Sequence, residues 1–196
     1  TCQCGNDLTM KTAVYSGSFN PLHIGHLAIM KHLTGKGGYD CVRLIVSPKN
    51  PLKDSISSSS GTERYNAAKE AVGRHFPESG KVTVDDIELN MPEPHYTIRT
   101  LDELKKQHPA DTFTLVIGSD NLADIRRWKD YSRILSEYGV LVYPRSGFDT
   151  DAIKTDLLEE DPSYRIEILE AELVDISSTV IREGIAEGQD MSDWLM

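Results

Sequence analysis

The chain has 196 residues, of which 39% are hydrophobic, and this length and composition support one good-sized hydrophobic core. We therefore expect a single domain over residues 10–196, with two domains as the weaker alternative. The 21 basic and 31 acidic residues give a formal charge of −10 at pH 7. Such a surface repels a phosphate backbone, so nucleic acid is not expected as a partner, whereas a small anionic substrate needs only a few local cations.

The composition also bears on location. No run approaches the roughly 20 apolar residues that cross a bilayer, and the first residues do not resemble a signal peptide, so we expect a cytoplasmic protein without a membrane partner. The odd number of cysteines (Cys2, Cys4 and Cys41) has no CxxC spacing and predicts neither a disulfide framework nor a zinc site. Residues 1–9 are polar, and we expect a non-native or disordered extension before Met10. A homo-oligomer is compatible with the sequence.

Short β-branched runs alternate with helical patterns along the chain, which is typical of a parallel sheet covered by helices. The predicted strands are 12–16, 42–47, 82–84, 113–117, 140–143 and 165–169. The predicted helices are 25–33, 62–74, 97–106, 128–137, 150–159 and 178–186. This order predicts an α/β fold with a doubly wound parallel sheet, in which ligands bind beyond the carboxyl ends of the strands. The serine-rich segment 55–61 is expected to be a mobile surface loop, as a plain connector first and a lid second.

The segment that follows the first strand, GSFNPLHIGHL at 17–27, has the features of a phosphate-binding turn. Gly17 and Ser18 let the backbone approach a ligand, and a helix beginning near Gly25 offers unpaired N–H groups to an anion. His23 and His26 are three residues apart, so both rings can face one ligand, with Gly25 leaving room between them. An isolated pair with this spacing is more often a cap or a core element.

The same segment resembles the HxGH signature of the nucleotidyltransferase superfamily, in the form G-[ST]-F-[DN]-P-x-H-x-G-H, over ten continuous positions. A second segment, ISSTVIR at 176–182, resembles the ISSTxxR motif of the same superfamily. In that segment Ser177 or Ser178 can cap a helix, and Arg182 can bind phosphate oxygens through its fork of donors. Neither a Walker A sequence nor GxGxxG is present. The resemblance implies a Rossmann-like nucleotidyltransferase fold.

Three intermediate segments resemble bacterial nicotinate-nucleotide adenylyltransferases more specifically. The segment SPKNPLK at 47–53 is similar to their P-x-x-x-P-H-K loop, with Leu52 in place of the usual histidine, and Lys53 matches a lysine that faces phosphates. The segment HYTIRTL at 95–101 is similar to S-Y-T-x-x-T-L, with His95 replacing serine. The segment IGSDNL at 117–122, followed by Trp128, is similar to I-G-x-D-x-L…W. An aromatic face such as that of Trp128 suits a flat pyridine ring.

The resemblance implies transfer of AMP from ATP to nicotinate mononucleotide, with release of pyrophosphate after direct in-line attack. The implied catalytic residues are His23, His26 and Arg182. The implied ATP-binding residues are Gly17, Ser18, Phe19, Gly25, Lys53, Asp120, Ser177, Ser178 and Thr179, and the implied acceptor-binding residues are Tyr96, Thr97 and Trp128. No protein side chains are expected to bind a metal, because Mg²⁺ comes with ATP through the substrate phosphates.

Other acceptors and a non-enzymatic role remain as alternatives. Pantetheine-phosphate adenylyltransferases share the first motif and are the second choice, and cytidylyltransferases of the same fold are the third. A nucleotide sensor that has kept the fold and lost catalysis is the non-enzymatic alternative. The preference for nicotinate over nicotinamide stays open from the sequence.

Overall fold

A single parallel sheet organises the computed structural model, which describes residues 9–48, 60–77, 80–170 and 177–196. Its strands are β1 (Lys11–Gly17), β2 (Cys41–Val46), β3 (Val82–Asp85), β4 (Thr112–Gly118), β5 (Val140–Tyr143) and β6 (Ile166–Ile168). They lie in the order β3-β2-β1-β4-β5-β6, and each neighbouring pair is parallel. The predicted doubly wound sheet is confirmed. The strand order reverses between β1 and β4, so the crevice beyond their carboxyl ends is the expected ligand site.

Helices cover both faces of this sheet. They are α1 (Ile24–Thr34), α2 (Gly61–His75), α3 (Thr97–Gln107), α4 (Ser119–Ala123), α5 (Tyr131–Arg133), α6 (Thr150–Glu160) and α7 (Ser178–Ala186). Successive side chains of a strand point to opposite faces, and in β1 Tyr15 joins a cluster with Met30 and Leu33 of α1, whereas Val14 joins one with Leu101 and Leu104 of α3. Two buried cores therefore hold β1 at the centre of the molecule.

The predicted helix 128–137 is wrong at its start. Trp128 has an extended backbone (φ −80°, ψ 142°) after a 3₁₀ turn at Ile125–Arg127. Asp130 then adopts a left-handed conformation (φ 52°), which aspartate tolerates better than most residues but which cannot continue a helix. The helix begins only at Tyr131 and continues as a π-helical turn over Ile134–Tyr138. Trp128 thus lies in a turn and is not part of a helix.

The serine-rich segment ends earlier than predicted. Ser60 and Gly61 belong to the start of α2, because Ser60 Oγ accepts the Glu63 N–H at 3.1 Å and the Glu63 carboxylate accepts the Ser60 N–H at 3.0 Å. This reciprocal pair is a capping box. Residues 55–59, Lys53, Cys2 and Cys4 lie outside the described residues, while Cys41 is buried with its Sγ 4.0 Å from Thr83 Oγ1. Among the helices in the described part of the chain, none is both long and apolar enough to cross a bilayer.

Candidate active site

His23 and His26 lie at the N-terminus of α1, where they cap the helix and stack on each other. Nδ1 of His23 accepts the Gly25 N–H at 3.1 Å, and Nδ1 of His26 accepts the His23 N–H at 3.2 Å. The ring centroids are 3.6 Å apart with 26° between the planes. Because both Nδ1 atoms are acceptors, each neutral ring carries its proton on Nε2 and donates from there. The Gly25 N–H, which was expected to be offered to an anion, is instead engaged in the cap.

Both imidazoles are neutral at pH 7 in the free protein. Burial, assisted by the positive charge of Arg145, lowers the pKa of His23 to about 4. Burial also lowers the pKa of His26 well below its ordinary value, with further contributions from His23 and Arg145. Two stacked imidazolium ions at this separation would repel each other by roughly 5 kcal/mol at an effective dielectric constant of about 20. The pair therefore presents hydrogen-bond donors rather than two fixed charges, and bound phosphates would raise both pKa values.

The loop that leads to these histidines is held by the ring of Phe19. That ring is buried and packs edge-on against Tyr15 at 5.4 Å and His26 at 5.1 Å between centroids. It also covers Gly17, where an added Cβ would lie 3.2 Å from Cζ of Phe19. The side chain of Phe19 is thus part of the hydrophobic core, so only its backbone is available to contact a nucleotide. Ser18, beside it, is exposed.

The fold brings together the two motifs that are far apart in the sequence. Ser178 Oγ donates to the Pro21 carbonyl at 2.9 Å across 157 residues, and Arg182 donates through Nη1 to the Asn20 carbonyl. Nη2 of Arg182 also donates to Thr179 Oγ1 at 3.2 Å. These bonds place the guanidinium beside the histidine loop. Of the two predicted helix caps, the structure selects Ser177, whose Oγ accepts the Val180 N–H at 3.2 Å.

The carboxyl end of β4 supplies a buried carboxylate oxygen. Oδ1 of Asp120 is inaccessible to solvent and has no hydrogen-bond partner within the described segments. A Cβ added at Gly118 would lie 2.4 Å from this oxygen and 2.9 Å from Cε2 of Tyr143, so only glycine fits there. Next to it, the fully buried Ser119 accepts the Arg145 N–H through Oγ at 2.7 Å. A buried acceptor without a partner favours a ligand that donates a hydrogen bond, such as a ribose hydroxyl.

Sequence reasoning missed Arg145, which follows β5 by two residues. Its charge lowers the pKa of both histidines, so it lies within electrostatic reach of the pair. Burial raises the pKa of Tyr143, and the positive charge of the neighbouring Arg145 opposes this rise. The rule that ligands bind beyond the carboxyl ends of parallel strands applies to this position and was the available signal.

The structure also places the predicted acceptor residues. Tyr96 precedes α3, is 40% exposed, and carries the Lys129 ammonium 5.5 Å above its ring centroid. This contact brings Tyr96 next to the turn that contains Trp128, which is half-buried against the β4 and β5 core. Thr97 is the first residue of α3. The predicted phosphate lysine, Lys53, lies outside the described residues. No cluster of three potential metal ligands occurs within the described segments.

Comparison with known proteins agrees with this geometry. The family model described as cytidylyltransferase-like matches residues 14–184. A protein of Bacteroides fragilis named as a nicotinate-nucleotide adenylyltransferase is 40% identical over 94% of this chain and 87% of its own length. The chain belongs to the nicotinate-nucleotide adenylyltransferase family. A family member from Flavobacterium psychrophilum is 37% identical over 95% of this chain and 92% of its own length.

Solved structures of the same fold include a more distant adenylyltransferase. The Plasmodium falciparum nicotinic acid mononucleotide adenylyltransferase complexed with NaAD superimposes with a TM-score of 0.75 at 21% identity, over 94% of this chain and 88% of that one. The same protein complexed with APC gives a TM-score of 0.75 at 20% identity over the same shares. At this identity the similarity shows the fold alone, and this chain therefore has the Rossmann-like nucleotidyltransferase fold.

Proposed function

We propose that the protein transfers the adenylyl group of ATP to nicotinate mononucleotide and forms nicotinate adenine dinucleotide and pyrophosphate. The observation that carries this proposal is the junction of the two motifs at the strand-order reversal, where Ser178 and Arg182 bind the Pro21 and Asn20 carbonyls. The two bacterial relatives named for this activity align with 94% and 95% of the chain. Intact motifs argue against a sensor without catalysis.

In the proposed reaction, an oxygen of the acceptor phosphate attacks the α-phosphorus of ATP in line with the leaving pyrophosphate. One O–P bond forms and the bond to the bridging oxygen breaks, so no protein nucleophile is needed. Nε2–H groups of His23 and His26 donate to the phosphate oxygens, and Arg145 and Arg182 neutralise their charge. Mg²⁺ enters as part of the ATP substrate. Such catalysis rests on positioning and charge neutralisation.

The remaining ATP contacts follow from the geometry of the strand ends. The backbone of Gly17, Ser18 and Phe19 is proposed to approach the phosphates, and the unsatisfied Oδ1 of Asp120 accepts a ribose hydroxyl. Gly25 supports this arrangement indirectly, because its N–H orients His23. Lys53 is proposed to meet the outer phosphates.

We propose that the acceptor ring binds against Tyr96 and Trp128, which we call the aromatic wall, with Thr97 next to Tyr96 at the start of α3. The Lys129 ammonium above Tyr96 places a positive charge at this wall. A ring substituent that is negatively charged is favoured there over a neutral amide. This charge supports nicotinate mononucleotide, rather than nicotinamide mononucleotide, as the acceptor.

The experiment measures pyrophosphate release from ATP-Mg in separate reactions with nicotinate mononucleotide, nicotinamide mononucleotide and phosphopantetheine, with His26→Ala as the blank. The expected result is a strong preference for nicotinate mononucleotide. A preference for phosphopantetheine would overturn the roles of Tyr96, Thr97 and Trp128, and tight nucleotide binding without pyrophosphate release would indicate a sensor. The cytoplasmic location and a homo-oligomeric state stay predictions, to be checked by cell fractionation and light scattering.

A further inference from the structure

Arg64 of α2 is a buried cation that binds two strand ends at the site. Its residue surface is only 4% exposed. Nη1 donates to the Ser18 carbonyl and to the Ser47 carbonyl, both at 2.7 Å. Ser18 follows β1 and Ser47 follows β2, so both carbonyls belong to the edge of the sheet where the histidine loop begins. Burial lowers the pKa of Arg64, yet a guanidinium keeps its charge in proteins.

Other contacts make these two strand ends one unit. The Ser47 N–H donates to the Gly17 carbonyl at 2.9 Å, and the hydroxyls of Ser16 and Ser47 are 3.1 Å apart. Of these contacts, only the bond from Arg64 to Ser18 involves a residue of the loop that follows β1. Burying a guanidinium costs free energy, which charge-assisted hydrogen bonds to fixed carbonyls offset. An apolar side chain would fill the same space without binding either carbonyl.

The bond to Ser18 sets the orientation of the next peptide group. The cis peptide bonds of the described residues are Asn20–Pro21 and Glu93–Pro94, so the Ser18–Phe19 peptide is trans. In a planar trans peptide the N–H points opposite to the carbonyl, and the Phe19 N–H therefore points away from Arg64. Phe19 also has φ 47°, a conformation that residues with a Cβ adopt only when their surroundings hold them there.

The packing links this peptide to the catalytic pair. The Phe19 ring lies 5.1 Å from the ring of His26. A change in the orientation of the Ser18–Phe19 peptide therefore moves the Phe19 ring, against which the His26 ring packs. Because the interior is close-packed, such a displacement is transmitted rather than absorbed.

We propose that Arg64 is a positioning residue for adenylyl transfer. By binding the Ser18 and Ser47 carbonyls, it fixes the loop between β1 and His23 and the Phe19 ring that packs against His26. The role rests on the proposed function, because it concerns the same site. Arg64 acts through the Ser18–Phe19 peptide.

The test compares Arg64→Lys with wild type and with Arg43→Lys. Lysine keeps the charge, but its ammonium is one bond shorter and rotates freely, whereas both bonds of Arg64 come from the two in-plane hydrogens of Nη1. Arg43 is a matched control, since it is a partly buried arginine of β2 that pairs with Asp85 at 2.8 Å. Arg64→Lys should lower kcat about 10²-fold, the order expected when reacting groups are misplaced by about 1 Å. Its KM for nicotinate mononucleotide should stay near the wild-type value, and Arg43→Lys should keep the wild-type kcat.

Calorimetric titration with a non-hydrolysable ATP analogue separates positioning from simple loss of folded protein. Positioning leaves the binding stoichiometry intact while kcat falls. The proposal is overturned if kcat is unchanged, or if kcat falls only in proportion to the stoichiometry. Wild-type turnover tests the proposed function on its own, because inactivity of the wild type with every acceptor defeats that function, whereas the Arg64 role depends on the ratio of variant to wild type.

If Arg64→Lys does not fold, nuclear magnetic resonance of the wild type tests the positioning role of Arg64 instead. Adding the ATP analogue should shift the Phe19 amide and the Arg64 guanidinium resonances together. A Phe19 amide that does not respond to the analogue would overturn the proposal, because the peptide that Arg64 orients would then have no part in binding.

Discussion

Replacing His26 by asparagine separates the two roles that the geometry gives to this side chain. Nδ1 of His26 accepts the His23 N–H at 3.2 Å, which leaves Nε2–H to donate to a phosphate. The asparagine amide oxygen occupies about the place of Nδ1 and keeps the cap, but asparagine has no atom at the place of Nε2. Alanine removes both. The two variants therefore differ in capping while they share the loss of the donor.

The expected magnitudes follow from this separation. Loss of one preorganised donor lowers kcat by about 10²–10³-fold, and we expect this loss in both variants. Loss of a cap costs about 1 kcal/mol, which we expect only in His26→Ala. In a chain of this size that difference lowers Tm by about 2–4 °C relative to His26→Asn. The edge contacts of the ring with Phe19 and Tyr15 are lost in both variants and cancel in the comparison.

The assay measures pyrophosphate release at saturating ATP-Mg and nicotinate mononucleotide, together with Tm by scanning calorimetry. A kcat of His26→Asn close to that of the wild type would refute the reasoning, because the ring would then serve as a cap alone. Equal values of Tm for His26→Asn and His26→Ala would contradict the capping role and leave the donor role standing.

Three further predictions concern stability. The pKa of His23 is about 4 in the folded protein against 6.5 for a free side chain, so the unfolded chain binds more protons between these values and the free energy of unfolding should fall as pH falls from 6.5 towards 4. Urea unfolding should show a shallower fall for His23→Asn, and parallel curves would contradict the assignment. A Cβ at Gly118 meets Asp120 and Tyr143 below 3.0 Å, so Gly118→Ala should cost about 1–3 kcal/mol and lower kcat/KM. At Gly73, where a Cβ meets nothing within 4 Å, alanine should instead stabilise α2 by up to about 1 kcal/mol with full activity. Denaturation midpoints and steady-state kinetics check both glycine variants, and a stable, fully active Gly118→Ala would show that the close approach there is not required.

Elements with strong local patterns could be predicted from the sequence. The predicted strand 140–143 and helix 178–186 agree with Val140–Tyr143 and Ser178–Ala186 at both ends. Each has a clear beginning, since Gly139 has a positive φ before β5 and Ser177 caps α7. The motifs were also visible, because the residues of a phosphate-binding loop are contiguous in the chain.

Features that depend on contacts across the sheet could not be predicted. Arg64 is an ordinary arginine of a helix in the sequence, and its partners lie 46 and 17 residues away. The left-handed conformation of Asp130 carries no strong sequence signal, so the helix was extended back to Trp128. Stacking of His23 on His26 depends on the caps that each forms, which spacing alone does not reveal.

The neutral histidine pair suits a site that must stay ordered before a polyphosphate binds. If both rings were charged in the free protein, their repulsion would destabilise the loop that must be ready for ATP. Arg145 and burial keep the rings neutral, so the loop is stable while empty and the donors are already oriented. Phosphates that then enter bring negative charge to the same point and reverse the effect of Arg145. The Nε2–H donors are therefore in place before the phosphates arrive, while each Nδ1 stays engaged by the backbone N–H that it accepts.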